Sequence, residues 1–106
     1  MDRRPTWVLK ALAFRSRGEN KDAYDLYYVL RNHGDGPRTV AEVFRPLLDD
    51  PAARDALGIL EGDFTTPDSV GAMRVAAFLA RQGDATFLAD VAGFVRELVR
   101  QCDGER

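Results

Sequence analysis

Apolar residues recur at helical spacing along most of the chain, and this periodicity constrains the fold more than any other feature. Residues at i, i+3, i+4 and i+7 share one face of an α-helix. The clearest such stripe lies near the C-terminus: Phe87, Leu88, Val91, Phe94, Val95, Leu98, Val99 and Cys102. No segment shows the period-two alternation of a half-buried strand. The pattern therefore predicts an all-α bundle of about six helices, forming one domain over residues 1–106.

Proline and cap residues predict where several of these helices begin and end. Asp50–Pro51 and Thr66–Pro67 each combine an N-cap residue with a proline at the first helical position. Pro46 falls inside an apolar stripe, and it predicts a kink or an early stop there. The helix after Thr66–Pro67 is predicted to carry its apolar residues on one face: Val70, Met73, Ala77 and Ala80.

Charge and composition describe a globular chain whose basic residues are concentrated at the N-terminal end. The net charge is −2 and 45% of the residues are hydrophobic, which argues against general nucleic-acid binding. The first 21 residues contain two acidic residues, Asp2 and Glu19, and six basic ones: Arg3, Arg4, Lys10, Arg15, Arg17 and Lys21. This end is either a solvated basic face or the place where a phosphate-bearing partner binds.

The remaining composition signals concern metals, membranes and location. One cysteine, Cys102, excludes an internal disulfide, and it recurs on an apolar stripe that predicts a position in the core. Because His33 is the only histidine and lies far from Cys102 in the sequence, no set of zinc ligands is predicted. The sequence shows no signal peptide and no apolar run that could span a membrane, so we expect a cytoplasmic protein.

The stretch from Lys10 to Leu30 carries most of the chemical information. It holds two helical patterns joined by a polar turn, with Asn20 as the predicted N-cap of the second. Lys10 interrupts a helix that is otherwise apolar on nearly all sides, and Arg17 at i+7 shares its face. Asp22 and Asp25 are neighbours on the second helix. Because Gly18 reverses the chain, the basic face can meet the two aspartates.

Two interpretations of this cluster remain open from spacing alone. In the first, the four charged residues form a structural ion-pair cluster. Asp22 also lies in the first helical turn, where the positive end of the helix dipole stabilises an acidic side chain. In the second, a catalytic lysine and aspartate face a phosphate-bearing substrate. Asp25 is harder to explain structurally, because it lies a turn further in and Lys21 at i−4 has the less favourable orientation for an ion pair.

The segment from Lys10 to Leu30, with K-D-A-Y-D-L-Y-Y at its centre, resembles the AbiEii/AbiGii toxin family of nucleotidyltransferases. In that family, a lysine helix followed by [KR]-D-x-x-D-L forms the third and fourth motifs of the active site. The resemblance implies that Lys10 contacts a triphosphate and that Asp25 is a general base or orients the acceptor. It also implies that Asp22 supports this pair, and that Arg17 and Lys21 hold phosphate.

The sequence also departs from the family pattern. Family members have an upstream core with a D-x-D carboxylate pair that holds metal ions, and no two aspartates here are at i, i+2. The resemblance therefore implies the C-terminal helical part of such an enzyme, inactive alone. Mg²⁺ and a nucleoside triphosphate are expected only in the complete enzyme, with an RNA acceptor. No metal site or cofactor is expected for this chain alone.

An alternative function belongs to another class of protein. The chain can be a helical interaction or oligomerisation module without catalysis, in which the surface from Trp7 to Phe14 packs on a partner chain or on a second copy. The two functions are compatible if the partner is the upstream catalytic core. A cognate antitoxin is a further expected partner, and its identity cannot be read from the sequence.

Overall fold

A computed structural model describes residues 4–103 and confirms the predicted all-α fold. The described residues form six α-helices and no strand: α1 (Thr6–Arg17), α2 (Asn20–Arg31), α3 (Pro37–Phe44), α4 (Pro51–Asp63), α5 (Val70–Phe78) and α6 (Ala85–Asp103). Asp2 and Arg3 of the basic end lie outside the described range. Within that range, no helix has the length and apolar character needed to cross a membrane.

A continuous apolar core holds the helices together. Helix α1 packs against α2 and α4, while α2 also packs against α5 and α3 against α6. Trp7 stacks on Phe44 with ring centroids 4.0 Å apart, and Phe14 contacts Phe64 at 5.1 Å. The predicted stripe of α6 is confirmed, because its residues from Val91 to Cys102 are buried on one face.

The predicted reversal between α1 and α2 is confirmed at Gly18. Its φ of 67° is left-handed, and its N–H donates to the carbonyl of Phe14 at 2.7 Å. The predicted N-cap is wrong by one residue, because extended Glu19 occupies that position and Asn20 is already helical. The side chain of Asn20 instead accepts a hydrogen bond from Arg74 at 3.3 Å, which ties the start of α2 to α5.

Two of the three proline signals locate helix ends correctly. Asp50 caps α4 by accepting from the N–H of Ala52 at 3.2 Å, and α3 stops at Phe44, just before a short 3₁₀ turn that contains Pro46. The Thr66–Pro67 signal is wrong. Helix α5 begins later, with Ser69 as N-cap, because the Ser69 hydroxyl donates to the Thr66 carbonyl at 2.6 Å and closes a turn.

The face of α5 that carries the predicted apolar stripe does not point into the core. Val70 and Met73 are 47% and 39% exposed, whereas the buried residues are small ones together with Val75: Gly71, Ala72, Val75 and Ala76. A Cβ atom at Gly71 would lie 2.5 Å from the carbonyl oxygen of Asp63. Because α5 approaches the end of α4 this closely, only its small-residue face fits inward, and its larger side chains face solvent.

Candidate functional site

The hairpin of α1 and α2 brings the predicted basic face onto the two aspartates. Arg17 at the end of α1 pairs with Asp22, and Lys10, two turns earlier, pairs with Asp25. The two ion pairs therefore lie one above the other along the line where α1 meets α2. Lys21 pairs with Asp25 as well, so all five residues singled out from the sequence are close in space.

Asp22 is held tightly by several donors. Its carboxylate is only 5% exposed and accepts two hydrogen bonds from Arg17, at 2.6 Å from Nη2 and 3.2 Å from Nε. The backbone N–H of Glu19, the N-cap residue, also donates to it, as a side chain at N3 does in a capping box. The Arg17 hydrogen bonds lower the pKa of Asp22 most, and burial opposes them. Asp22 thus fastens the start of α2 to the end of α1.

Asp25 has a more open environment. Its Oδ2 accepts from Lys21 Nζ at 2.9 Å and from Lys10 Nζ at 3.5 Å. The Asp25 side chain is 22% exposed, and the side chains of Lys10 and Lys21 are 39% and 69% exposed. The hydrogen bond from Lys21 is the main cause of the lowered pKa of Asp25; burial opposes it, and the charge of Lys10 adds to it. The ion pair between Lys21 and Asp25 forms although the lysine precedes the acid along the helix, which is the less favourable order.

The chemistry of the two carboxylates therefore differs. Asp22 is enclosed by a bidentate arginine and has little freedom to meet a ligand. One oxygen of Asp25 accepts from two lysine ammonium groups, and both lysine side chains are partly exposed to solvent. An anionic ligand can draw these ammonium groups to itself, because lysine is a flexible point charge that binds phosphate readily.

The described residues do not fit a magnesium site. Among residues 4–103, no group of three or more His, Cys, Asp or Glu side chains is placed to hold a metal ion. Asp22 and Asp25 are both occupied by cationic side chains, and Mg²⁺ needs carboxylate oxygens free to coordinate it. The cluster can bind phosphate through its cations, but its aspartates do not form a metal centre.

An aromatic ladder beside the cluster was missed by the sequence reasoning. Tyr24 stacks on Phe78 of α5 with centroids 4.8 Å apart, and it lies 5.9 Å from Tyr28. Tyr28 is 55% exposed and Phe78 is 44% exposed. The i, i+4 spacing of the two tyrosines already indicates in the sequence that their rings can contact each other. The contribution of Phe78 depends on how α5 docks, which the sequence does not specify.

Comparison with known protein families matched this chain to a family model. A family model described as "Nucleotidyl transferase AbiEii toxin, Type IV TA system" matches residues 6–101. The match covers the ion-pair cluster, the aromatic ladder and nearly all of the six helices, well beyond the motif segment between Lys10 and Leu30. Searches among curated proteins and among solved structures gave no match.

Proposed function

The chain belongs to the AbiEii nucleotidyl transferase toxin family, and on that premise we propose that it supplies Lys10 and Asp25 to a nucleotide-transfer site. The metal-binding carboxylates of that site come from a separate polypeptide segment, because this sequence contains no D-x-D pair. The chain alone is then inactive. In the complete enzyme, the carboxylates of that separate segment would hold Mg²⁺, which would offset the charge of a nucleoside triphosphate. The hydroxyl of an acceptor such as an RNA end would then take the nucleotide, with release of pyrophosphate.

The contrast between the two ion pairs is the observation that supports this proposal. The Arg17–Asp22 pair has short bidentate contacts and a buried carboxylate, as expected of a structural link. The Lys10–Asp25 pair is longer and more exposed, and such pairs contribute at most about 1 kcal/mol to stability. Because stability gives little reason for Lys10 on an otherwise apolar helix, a role in substrate binding explains it better.

The contacts of the cluster support a separate role for each residue. Lys10 and Lys21 bind the phosphates of the substrate, where fixed positive charge stabilises charge that develops during transfer. Asp25 has a lowered pKa and is ionised at neutral pH, so it accepts a hydrogen bond from the acceptor hydroxyl and orients it. When phosphate draws the two lysines away, Asp25 loses the partners that lower its pKa and becomes a stronger base. Asp22 holds the hairpin, and Arg17, 62% exposed, has donors left for phosphate.

The experiment that tests this function compares the chain alone with the chain plus a catalytic core. The pure chain is incubated with labelled nucleoside triphosphates, magnesium and bulk RNA, with and without a nucleotidyltransferase core of this family that carries a D-x-D pair. We expect no incorporation by the chain alone and incorporation when both are present. Specific incorporation by the chain alone would contradict the claim that the metal-binding carboxylates come from elsewhere.

The alternative, a non-catalytic interaction module, needs exposed apolar side chains that a partner could cover. The predicted surface on α1 is largely unavailable, because Trp7, Val8, Ala11 and Phe14 are buried in the core of the chain itself. Leu9 remains 36% exposed on α1, and Val43 is exposed on α3. The largest group of exposed apolar side chains lies on or next to α5: Val70, Met73, Phe78 and Leu79. Self-association through this surface, binding of a cognate antitoxin and a cytoplasmic location stay predictions, and each is compatible with the catalytic role.

A further inference from the structure

We propose that the aromatic ladder formed by Tyr28, Tyr24 and Phe78 is a stacking platform for a base of the single-stranded RNA acceptor. This inference rests on the proposed function, and it names the contact that holds the acceptor beside Asp25. Single-stranded nucleic acids are bound by aromatic faces that stack on bases, next to cations that hold the phosphates.

The ladder and the ion-pair cluster share one face of α2. Lys21, Tyr24, Asp25 and Tyr28 follow at i, i+3, i+4 and i+7, so their side chains form a single stripe along the helix. Phe78 of α5 extends this stripe sideways through its contact with Tyr24. A nucleotide whose base lies on the ladder therefore has its backbone within reach of Asp25 and the lysines.

Exposure of the rings also needs an explanation. Tyr28 and Phe78 are both about half exposed, whereas Trp7, Phe44 and Phe64 are fully buried. Tyr24 is half-buried; its ring stacks on Phe78 and contacts Tyr28 at a tilted angle. Because the two exposed rings are held by a third, a base that stacks on them loses little entropy to ordering the protein.

The charges near the ladder favour a polynucleotide over an apolar protein segment. Lys10 and Lys21 lie on one side through their contacts with Asp25. Arg74 lies near the start of α2, where it donates to Asn20. These three cations occupy separate places around α2, which suits a chain of successive phosphates better than the compact phosphates of a free nucleotide. The ligand of the aromatic ladder is therefore the RNA strand.

The binding experiment measures the affinity of the chain for a labelled oligoadenylate of about eight nucleotides and for the same strand with abasic positions. Variants Tyr28→Leu and Tyr28→Phe test the exposed ring. Val43→Ala is the matched control, since Val43 is 45% exposed on α3, away from the ladder. Circular dichroism and melting establish that each variant is folded. Free adenosine triphosphate is titrated in parallel.

The expected result is a dependence of binding on both the base and the ring. Tyr28→Leu should weaken oligoadenylate binding by roughly 5- to 100-fold, whereas Tyr28→Phe should stay within about twofold of the original chain. Removing the bases should weaken binding by the original chain but add little to the loss in Tyr28→Leu, because both changes remove the same contact. Val43→Ala should bind normally.

Several results would overturn the inference. These are no measurable binding of the oligoadenylate, equal binding by folded Tyr28→Leu, and equal binding of the abasic strand by the original chain. Tighter, Tyr28-dependent binding of free adenosine triphosphate than of the strand would show that the platform serves the nucleotide substrate instead.

The failure of this inference can be told apart from failure of the proposed function. If Tyr28→Leu leaves RNA binding unchanged while Lys10→Ala abolishes transfer in the complete enzyme, only the stacking platform is wrong. If RNA binding depends on Tyr28 while Lys10→Ala and Asp25→Ala transfer nucleotides normally, the catalytic assignment is wrong and the RNA-binding surface stands.

Discussion

Asp22 and Asp25 are three residues apart, yet their surroundings differ in burial and in the number and kind of donors. Helical spacing alone predicts that both face the basic side of α1, and the structure agrees. Spacing does not predict which carboxylate is enclosed, because that depends on the reach of Arg17 and Lys10 once the helices have docked. The hydrogen bond from the Glu19 N–H to Asp22 was also not predicted, because Asn20 is a more typical N-cap residue than Glu19.

The lowered pKa of Asp22 predicts a specific acid sensitivity of the fold. Because the folded-state pKa lies below the ordinary value of 3.8, the stabilisation is complete above that value and is lost as the pH falls through the folded-state pKa. In Asp22→Asn this contribution should disappear, so its melting temperature should fall less steeply with pH below about pH 4. The control is Asp35→Asn, at an exposed loop position. Parallel curves for Asp22→Asn and the original chain would refute the structural role of Asp22.

At the scale of helices, the α1–α2 hairpin was predictable and the placement of α5 was not. Gly18 signals the reversal through its own backbone freedom, which is a local property. The orientation of α5 depends on Gly71 packing against the end of α4, a long-range contact that periodicity does not contain. The apolar stripe read from the sequence therefore faces solvent in α5, and the face with the smaller residues is the buried one.

Replacing glycine by alanine should change stability in opposite directions in the hairpin turn and within α4. Gly18→Ala should destabilise the chain by about 1–2 kcal/mol, because a side chain at φ 67° is strained. Gly58→Ala is the matched control within α4, where no atom lies within 4 Å of an added Cβ, and it should stabilise by about 0.5–1 kcal/mol. Chemical denaturation measures both changes. A Gly18→Ala variant as stable as the original chain would show that the left-handed turn does not fix the hairpin.

For the whole molecule, the sequence predicted the architecture better than the site. The all-α fold followed from apolar periodicity, which the core of residues 4–103 confirms. Family membership over residues 6–101 agrees with the resemblance seen in the motif segment. A complete transfer site could not be predicted in the same way, because the sequence contains no D-x-D pair. The aromatic ladder needed the packing of α5 on α2 before it became visible.

The most direct test of the account measures turnover and melting together for Lys10→Ala and Asp25→Ala, each combined with a D-x-D core of this family. Arg100→Ala, which breaks an exposed ion pair with Glu97 on α6, is the control. The account predicts that both site variants melt within about 6 °C of the original chain, because the pair adds little stability. Their turnover should fall by at least about 100-fold, while Arg100→Ala keeps normal turnover. Near-normal turnover in both site variants, or a loss no larger than the loss of folded protein, would contradict the account and make the cluster purely structural.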